Sequence, residues 1–429
     1  MISKLLKGNY ILLYYLILLL VIAFWSSESE PPSAIRYGYL LAFFLPLLTK
    51  YLHYYPACLI CFMAISTNGY AFGFFPYAGY LYLVITLIGL YFAPKLSKPD
   101  IPVCVKIIVG YLFLVNTATS GNPQNIFYSS LVVLFFSYYT IRDRVQGVRL
   151  MLNCFCIVAL TLSVVYYLNY DRFLVSYNGL ADIERSGWTD PNYLSCIIGM
   201  GVITSLLLIV KSQDSHIALK IFWIVTIAVS FSAQLLIASR GALLAEVLAI
   251  PLIISTTHMT GKRKILIFLS LVVFVYWLYT NSYFELMEYR IMNDSGTGGG
   301  RSVIWEQKLN AFFDANFFSQ IFGYGYEGGL YLGTGIMFGF HNDYIAILCD
   351  YGFIGLALFL CCLFYPIFKA PQQVRSEVFA LVAYLAVVCF SLEPISSGRL
   401  PYFGFFFMIM LYSKSANMVV NNSRLENGK

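Results

Sequence analysis

One stretch of the chain concentrates groups able to do chemistry. Over roughly 70 residues, from Asn281 to Tyr351, it carries Arg290, the run Gly296-Thr297-Gly298-Gly299-Gly300-Arg301, the helical-looking Ser302-Val303-Ile304-Trp305-Glu306, and His341-Asn342-Asp343-Tyr344. No Gly-Lys-Ser/Thr closes the glycine run, so it is not a nucleotide phosphate loop. Successive glycine amides leading into a helix can still cradle an anion. Arg301 adds a planar, permanently charged fork that suits phosphate oxygens. The bland alternative is a glycine hinge.

On a helix, Arg301 and Trp305 share a face. The apolar stripe Val303, Ile304, Leu309, Phe312 and Phe313 suits a helix lying in a membrane interface. Trp305, Tyr324 and Tyr326 are candidates for stacking on sugar rings, although aromatics are also commonplace at interfaces. His341 is the one histidine of this stretch. Small changes of environment move an imidazole across neutral pH, which makes it a candidate general base. Its alternative role, with Asn342, Asp343 and Tyr344, is to start the next helix. No further side chains stand at the spacing a zinc site requires, so no metal is expected.

A second polar stretch, 169–192, holds Asp182, Glu184, Arg185, Trp188 and Asp190-Pro191-Asn192. Asp-Pro-Asn reads as a turn plus helix start, with Arg185 and Asp190 as candidate ligand contacts. Ser239-Arg240-Gly241-Ala242 follows an apolar run. Arg240 either snorkels to lipid headgroups or binds a ligand, which the adjacent glycine lets approach closely. Glu246, one to two turns further along, is an intramembrane acid and should pair with an arginine.

The elements that must position these groups are membrane helices. The chain is 59% apolar and only 11% charged, where soluble domains carry about 25% charged residues. Apolar runs of roughly 17–25 residues cross a bilayer, and lipid leaves them no option but the helix. The runs fall at 10–25, 37–52, 54–66, 72–92, 101–117, 126–139, 150–168, 193–210, 218–238, 241–257, 264–280, 352–368, 377–392 and 400–412. The expected fold is therefore an all-α, polytopic transmembrane bundle of about twelve to fourteen spans. It forms a single integral-membrane domain over 1–429, with one large loop, 281–351, containing short helices.

Charge sets the orientation. An inside N-terminus puts Lys4, Lys7, Lys50, Lys95, Lys98, Arg142, Arg144, Arg149 and most later lysines in the cytoplasm. It leaves only Arg36, Arg172, Arg185, Arg240, Arg290, Arg301, Lys308 and Arg399 outside. That distribution obeys the positive-inside rule, so the net charge of +6 reports topology and not nucleic-acid binding. Both termini are expected inside, and 417–429 reads as a disordered tail. Both polar stretches then face away from the cytoplasm, where nucleotide sugars and ATP do not reach. Chemistry there must use an activated donor delivered by the membrane.

With these residues in hand, the chain resembles the O-antigen polymerase/ligase superfamily of bacterial membrane glycosyltransferases. The resemblance rests on Asp190-Pro191-Asn192, Ser239-Arg240-Gly241, Gly300-Arg301-x-x-x-Trp305, and His341-Asn342-x-Tyr344 followed by Tyr351-Gly352-x-Ile354-Gly355, in that order. It implies a metal-independent, cofactor-free inverting transferase of the inner (cytoplasmic) membrane with a periplasmic active site. Its donor and acceptor would be undecaprenyl-diphosphate-linked glycans, met among membrane lipids, with a chain-length regulator as a further partner. By that analogy Arg240 and Arg301 bind diphosphate and His341 lies at the acceptor. Arg290, Arg185, Asp190, Trp305, Asn342 and Tyr344 are expected to contact substrate. The first expectation is an O-antigen polymerase; a ligase transferring glycan to lipid A core is the alternative, and a flippase of lipid-linked oligosaccharides is the second.

Overall fold

The computed structural model describes residues 10–28, 38–39, 41–43, 45–48, 60–61, 102–119, 144–169, 191–211, 217–256, 260–292, 300–333, 339–396 and 400–426. Among them every long element is a helix, and no strand is present. The expected runs at 54–66, 72–92 and 126–139 lie wholly or largely outside the described residues, and that at 37–52 lies partly outside them. Among the described residues five helices are long and apolar enough to cross a membrane: Gly147–Leu168, Asn192–Lys211, Ile217–Ile237, Gly261–Thr280 and Asp343–Lys369. The protein is thus a multi-pass membrane protein of helical architecture.

The chain divides into two compact units, one of Met1–Ser97 with Ile141–Met287, the other of Lys98–Thr140 with Glu288–Lys429. The first contains α1 (Tyr10–Glu28) and, in the second unit, α2 (Val103–Thr119) follows in chain order. The first unit continues with α3 (Arg144–Leu168), α4 (Pro191–Lys211), α5 (Ile217–Ile237), α6 (Arg240–Thr256) and α7 (Gly261–Thr280). Helices α3, α4 and α5 pack mutually, with α1 against α3 and α6 against α4. Hydrocarbon gives apolar side chains no reason to leave lipid for one another, so small residues and buried polar contacts must hold such helices together. Both are present. A Cβ at Gly201 would stand 2.0 Å from the Ala159 Cβ, so that glycine is what lets α4 and α3 touch. Trp223 Nε1 donates to Asn153 Oδ1 at 2.8 Å, Ser163 Oγ to Ser230 Oγ at 3.2 Å, and Gln234 Nε2 to Ser195 O at 2.8 Å. Each such bond contributes about 0.6 kcal/mol. By contrast α7 turns apolar residues such as Leu266, Val273 and Tyr276 outward along its length.

Glu246 is fully buried in α6, and neither carboxyl oxygen has a hydrogen-bond partner among the described residues. Among the described residues no arginine pairs with it, and the neighbouring polar side chain is Gln234, whose Nε2 donates to Ser195 O. An unpaired charge at such a site would cost far more than a neutral group of the same shape. Glu246→Gln is therefore expected to unfold at or above the native temperature in detergent, whereas Glu246→Lys abolishes folded protein. Equal thermal stability of the two variants would contradict this.

The second unit adds α8 (Glu285–Met292), which begins at its boundary, then α9 (Arg301–Phe313), α10 (Phe317–Phe322), α11 (Asp343–Lys369), α12 (Arg375–Ser391) and α13 (Leu400–Glu426). Helix α11 is the hub, packed on α2, α9, α10, α12 and α13. It breaks at Gly352 (φ 66, ψ −171). A Cβ there would lie 2.2 Å from Ile321 O, so the break occurs where α10 presses its backbone on α11. The expected short helix before a span at 352 is the first half of this kinked element. Cys349 is buried inside it. Helix α13 runs on to Glu426 where a disordered tail was expected, since no Pro or Gly stops it before Glu426.

Candidate active site

The four sequence motifs come together in two pairs, one in each unit. In the first unit the chain reverses between α5 and α6 through Ala238, whose φ of 55° is left-handed. This places Arg240 at the first position of α6, half-buried. Ser239 Oγ donates to Asn192 Oδ1 at 3.1 Å. The Asp190-Pro191-Asn192 and Ser239-Arg240-Gly241 segments are thereby joined. Asp190 itself and Arg185 lie outside the described residues, as do Gly296–Gly299; Arg290 is placed within α8 by its backbone.

In the second unit α9 starts at Gly300, whose φ of 83° only glycine adopts freely. One face of α9 carries Arg301, Trp305, Lys308 and Phe312, at the three- and four-residue steps that align side chains along a helix. As expected, Arg301 and Trp305 share that face. Arg301 Nη1 donates to Ser391 O at 2.9 Å. Trp305 Nε1 donates to Phe340 O at 2.7 Å, and its ring meets Phe390 edge-on at 5.5 Å. Trp305 is therefore a clamp on the residue preceding His341. The apolar stripe likewise splits: Phe312 is core, while Val303 and Phe313 are exposed.

His341 occupies a left-handed turn (φ 50°), half-buried, with Nδ1 shielded from solvent. The turn is gripped from several sides. Phe340 N donates to Glu393 Oε2 at 2.8 Å. Asn342 Oδ1 accepts Tyr344 N at 2.9 Å and Ile345 N at 3.2 Å, capping α11. Asp343, fully buried, accepts Ser396 N at 2.7 Å and Ile395 N at 3.0 Å, and Asp343 N donates to Leu392 O at 2.9 Å. Tyr344 donates its hydroxyl to Ala386 O at 3.0 Å and packs edge-on against Phe359. The oxygen of Asn342 and the hydroxyl of Tyr344 thus shape the turn, the capping role that the sequence left open beside ligand contact.

Two parts of this frame were not singled out from the sequence: Glu393 and the segment Ser391–Ser396 that bridges Arg301 to the His341 turn. Glu393-Pro394 between two apolar runs signals a helix end, but nothing local links it to Phe340. Lys308, which the sequence places among the outward-facing cations, is fully buried. Its Nζ donates to Gly329 O at 3.0 Å and to Leu330 O, and lies 5.0 Å from the Phe340 ring centre. Burial lowers its pKa below the usual lysine value, against the opposing fields of Cys349, Asp350 and Glu393.

Asp350 grips the same loop from the other side, accepting Gly329 N at 2.9 Å and Glu327 N at 3.2 Å. Phe312, Leu330, Phe340, Leu348 and Cys349 form the apolar core beneath. Asp350→Ala removes both bonds and is expected to cost about 3 kcal/mol. Asp350→Asn keeps an acceptor oxygen and should lose less. Thermal unfolding in detergent checks the order; equal melting temperatures for the two variants would contradict it.

Residues 224–360 match the family model described as O-antigen ligase. No curated protein matches the chain. The matched region spans Arg240, Arg301, Trp305 and the His341 turn, and leaves out Asp190-Pro191-Asn192, the first of the motifs on which the resemblance rests. Residues 224–360 are thus similar to the O-antigen ligase family, which is consistent with the O-antigen polymerase/ligase superfamily that the chain's motifs resemble.

Proposed function

We propose that the protein is a surface-polysaccharide polymerase, an inverting transferase that moves an undecaprenyl-diphosphate-linked glycan onto a lipid-linked repeat unit. In the reaction an acceptor hydroxyl attacks the anomeric carbon of the donor. The bond from that carbon to the diphosphate oxygen breaks, and the lipid diphosphate leaves with the electron pair. His341 takes the hydroxyl proton. Arg301 and Arg240 hold the diphosphate, whose charge grows as the bond breaks, so fixed guanidinium groups favour the transition state over the ground state. Arg290, Arg185 and Asp190 serve substrate binding. The reading sets this chemistry on the periplasmic face of the inner membrane, with both termini in the cytoplasm and a chain-length regulator as partner.

The observation that carries the reading is the fastening of the Arg301 helix and the His341 turn into one hydrogen-bonded body, through Trp305 to Phe340 O and Arg301 to Ser391 O. A permanent cation and an ionisable imidazole then share one frame within the family-matched region. The description of the matched family favours a second reading, a ligase that transfers the glycan to lipid A core. A deletion strain separates the two. Loss of a polymerase leaves lipid A core bearing a single repeat unit. Loss of a ligase leaves bare core and accumulates lipid-linked polymer.

A further inference from the structure

The loop Gly323–Leu332 is held with more fastenings than its length requires. Tyr324 N donates to Cys349 O at 3.1 Å and Gly325 N to Asp350 O at 2.7 Å. Tyr326 N donates to Asn116 Oδ1 of α2 at 3.0 Å. Asp350 takes the amides of Glu327 and Gly329, and Lys308 takes the carbonyls of Gly329 and Leu330. Placing a carboxylate and an ammonium in the interior for this purpose is expensive. Something about the shape of this loop has to be worth that cost.

What the fastenings impose is the conformation of Glu327. Its backbone is left-handed (φ 57, ψ 3), a region that disfavours any side chain other than Asn or Asp. The surrounding sequence, Gly323-Tyr324-Gly325-Tyr326-Glu327-Gly328-Gly329, is rich in glycine, the residue that would adopt this turn without strain. Instead the strained position carries the segment's one charge. The Glu327 side chain is exposed, and its carboxylate makes no hydrogen bond or ion pair among the described residues. Local conformation does not favour a glutamate here, so its side chain serves something outside the loop.

We propose that Glu327 is a sugar-binding residue, whose carboxylate accepts hydrogen bonds from hydroxyls of the acceptor glycan. The proposal rests on the transferase reading above. A carboxylate suits this ligand because its two oxygens accept from a pair of neighbouring hydroxyls at once, in bonds stronger than those between neutral groups. The surroundings suit it too. Tyr331 is 58% exposed four residues on, and Tyr326 is partly exposed beside Glu327; tyrosine offers an apolar face to a sugar ring and a hydroxyl to its rim. The loop is also tied to the His341 turn: a Cβ on Gly329 would stand 2.9 Å from the Phe340 Cζ, and Phe340 precedes His341. A glycan held by Glu327 is held on the frame that carries the proposed base.

The test uses full-length protein in lipid nanodiscs. The probe is the lipid-free repeat-unit oligosaccharide released by mild acid from the producing strain's own surface polysaccharide. Titration calorimetry should show binding by the native protein and affinity lower by about tenfold or more for Glu327→Gln. Glu327→Gly should lose binding to the same extent while its melting temperature stays level or rises, because glycine relieves the turn. Equal affinity of native and Glu327→Gln protein overturns the assignment, as does a lower melting temperature of Glu327→Gly or absence of native binding. Chain growth by the same native preparation shows that the assignment alone has failed; absence of growth brings down the transferase reading with it.

Discussion

Arg301→Ala is expected to lower glycan transfer roughly 100- to 1000-fold, the effect of removing one preorganised donor from the place where negative charge develops. The structure gives Arg301 a second duty, because Nη1 holds Ser391 O at 2.9 Å. Losing that bond costs about 1.5 kcal/mol, enough to lower the melting temperature but not to unfold the unit. Arg301→Lys separates the two duties. An ammonium can reach one carbonyl and restore stability, but it lacks the flat fork that grips two phosphate oxygens, so activity should return only in part. Arg240→Ala is expected to behave like Arg301→Ala in activity. Normal chain length from either alanine variant would remove the diphosphate assignment; chain growth from purified lipid-linked repeat units and thermal unfolding, measured side by side, are the checks.

His341→Gly is the second large effect. A simple alanine variant confuses loss of the imidazole with disturbance of a strained turn. Glycine adopts φ near 50° without penalty, and the grips of Glu393, Trp305 and Asn342 on either side do not use the His341 side chain. The glycine variant should therefore melt close to the native temperature while kcat/KM falls about 10²- to 10⁴-fold, the usual contribution of a positioned base. Full activity in His341→Gly would mean that the residue serves the turn alone.

The helices were legible because apolar runs of membrane length leave few alternatives. The runs at 193–210, 218–238 and 264–280 appear as Pro191–Lys211, Ile217–Ile237 and Gly261–Thr280. The pairing of motifs was not legible, because it depends on contacts between residues far apart in sequence. Lys308 shows why. On a polar helix a lysine looks solvated, and only carbonyls of Gly329 and Leu330, some twenty residues on, make its burial tolerable. Trp305 is similar: its type suggested sugar, while its partner is the carbonyl of Phe340. Glu246 was read as half of an ion pair, and the described residues show instead a buried acid beside a glutamine. Left-handed Glu327 carries no local signature, since glutamate is not a residue type such turns favour.

The central claim is that the protein forms glycosidic bonds from a lipid diphosphate donor. Reconstitution of purified protein in liposomes with undecaprenyl-diphosphate-linked repeat units, in the presence of a metal chelator and without ATP, tests it most directly. The account predicts a ladder of lengthening glycans with release of undecaprenyl diphosphate, lost in Arg301→Ala. Movement of intact lipid-linked units across the bilayer with no new glycosidic bond would contradict it.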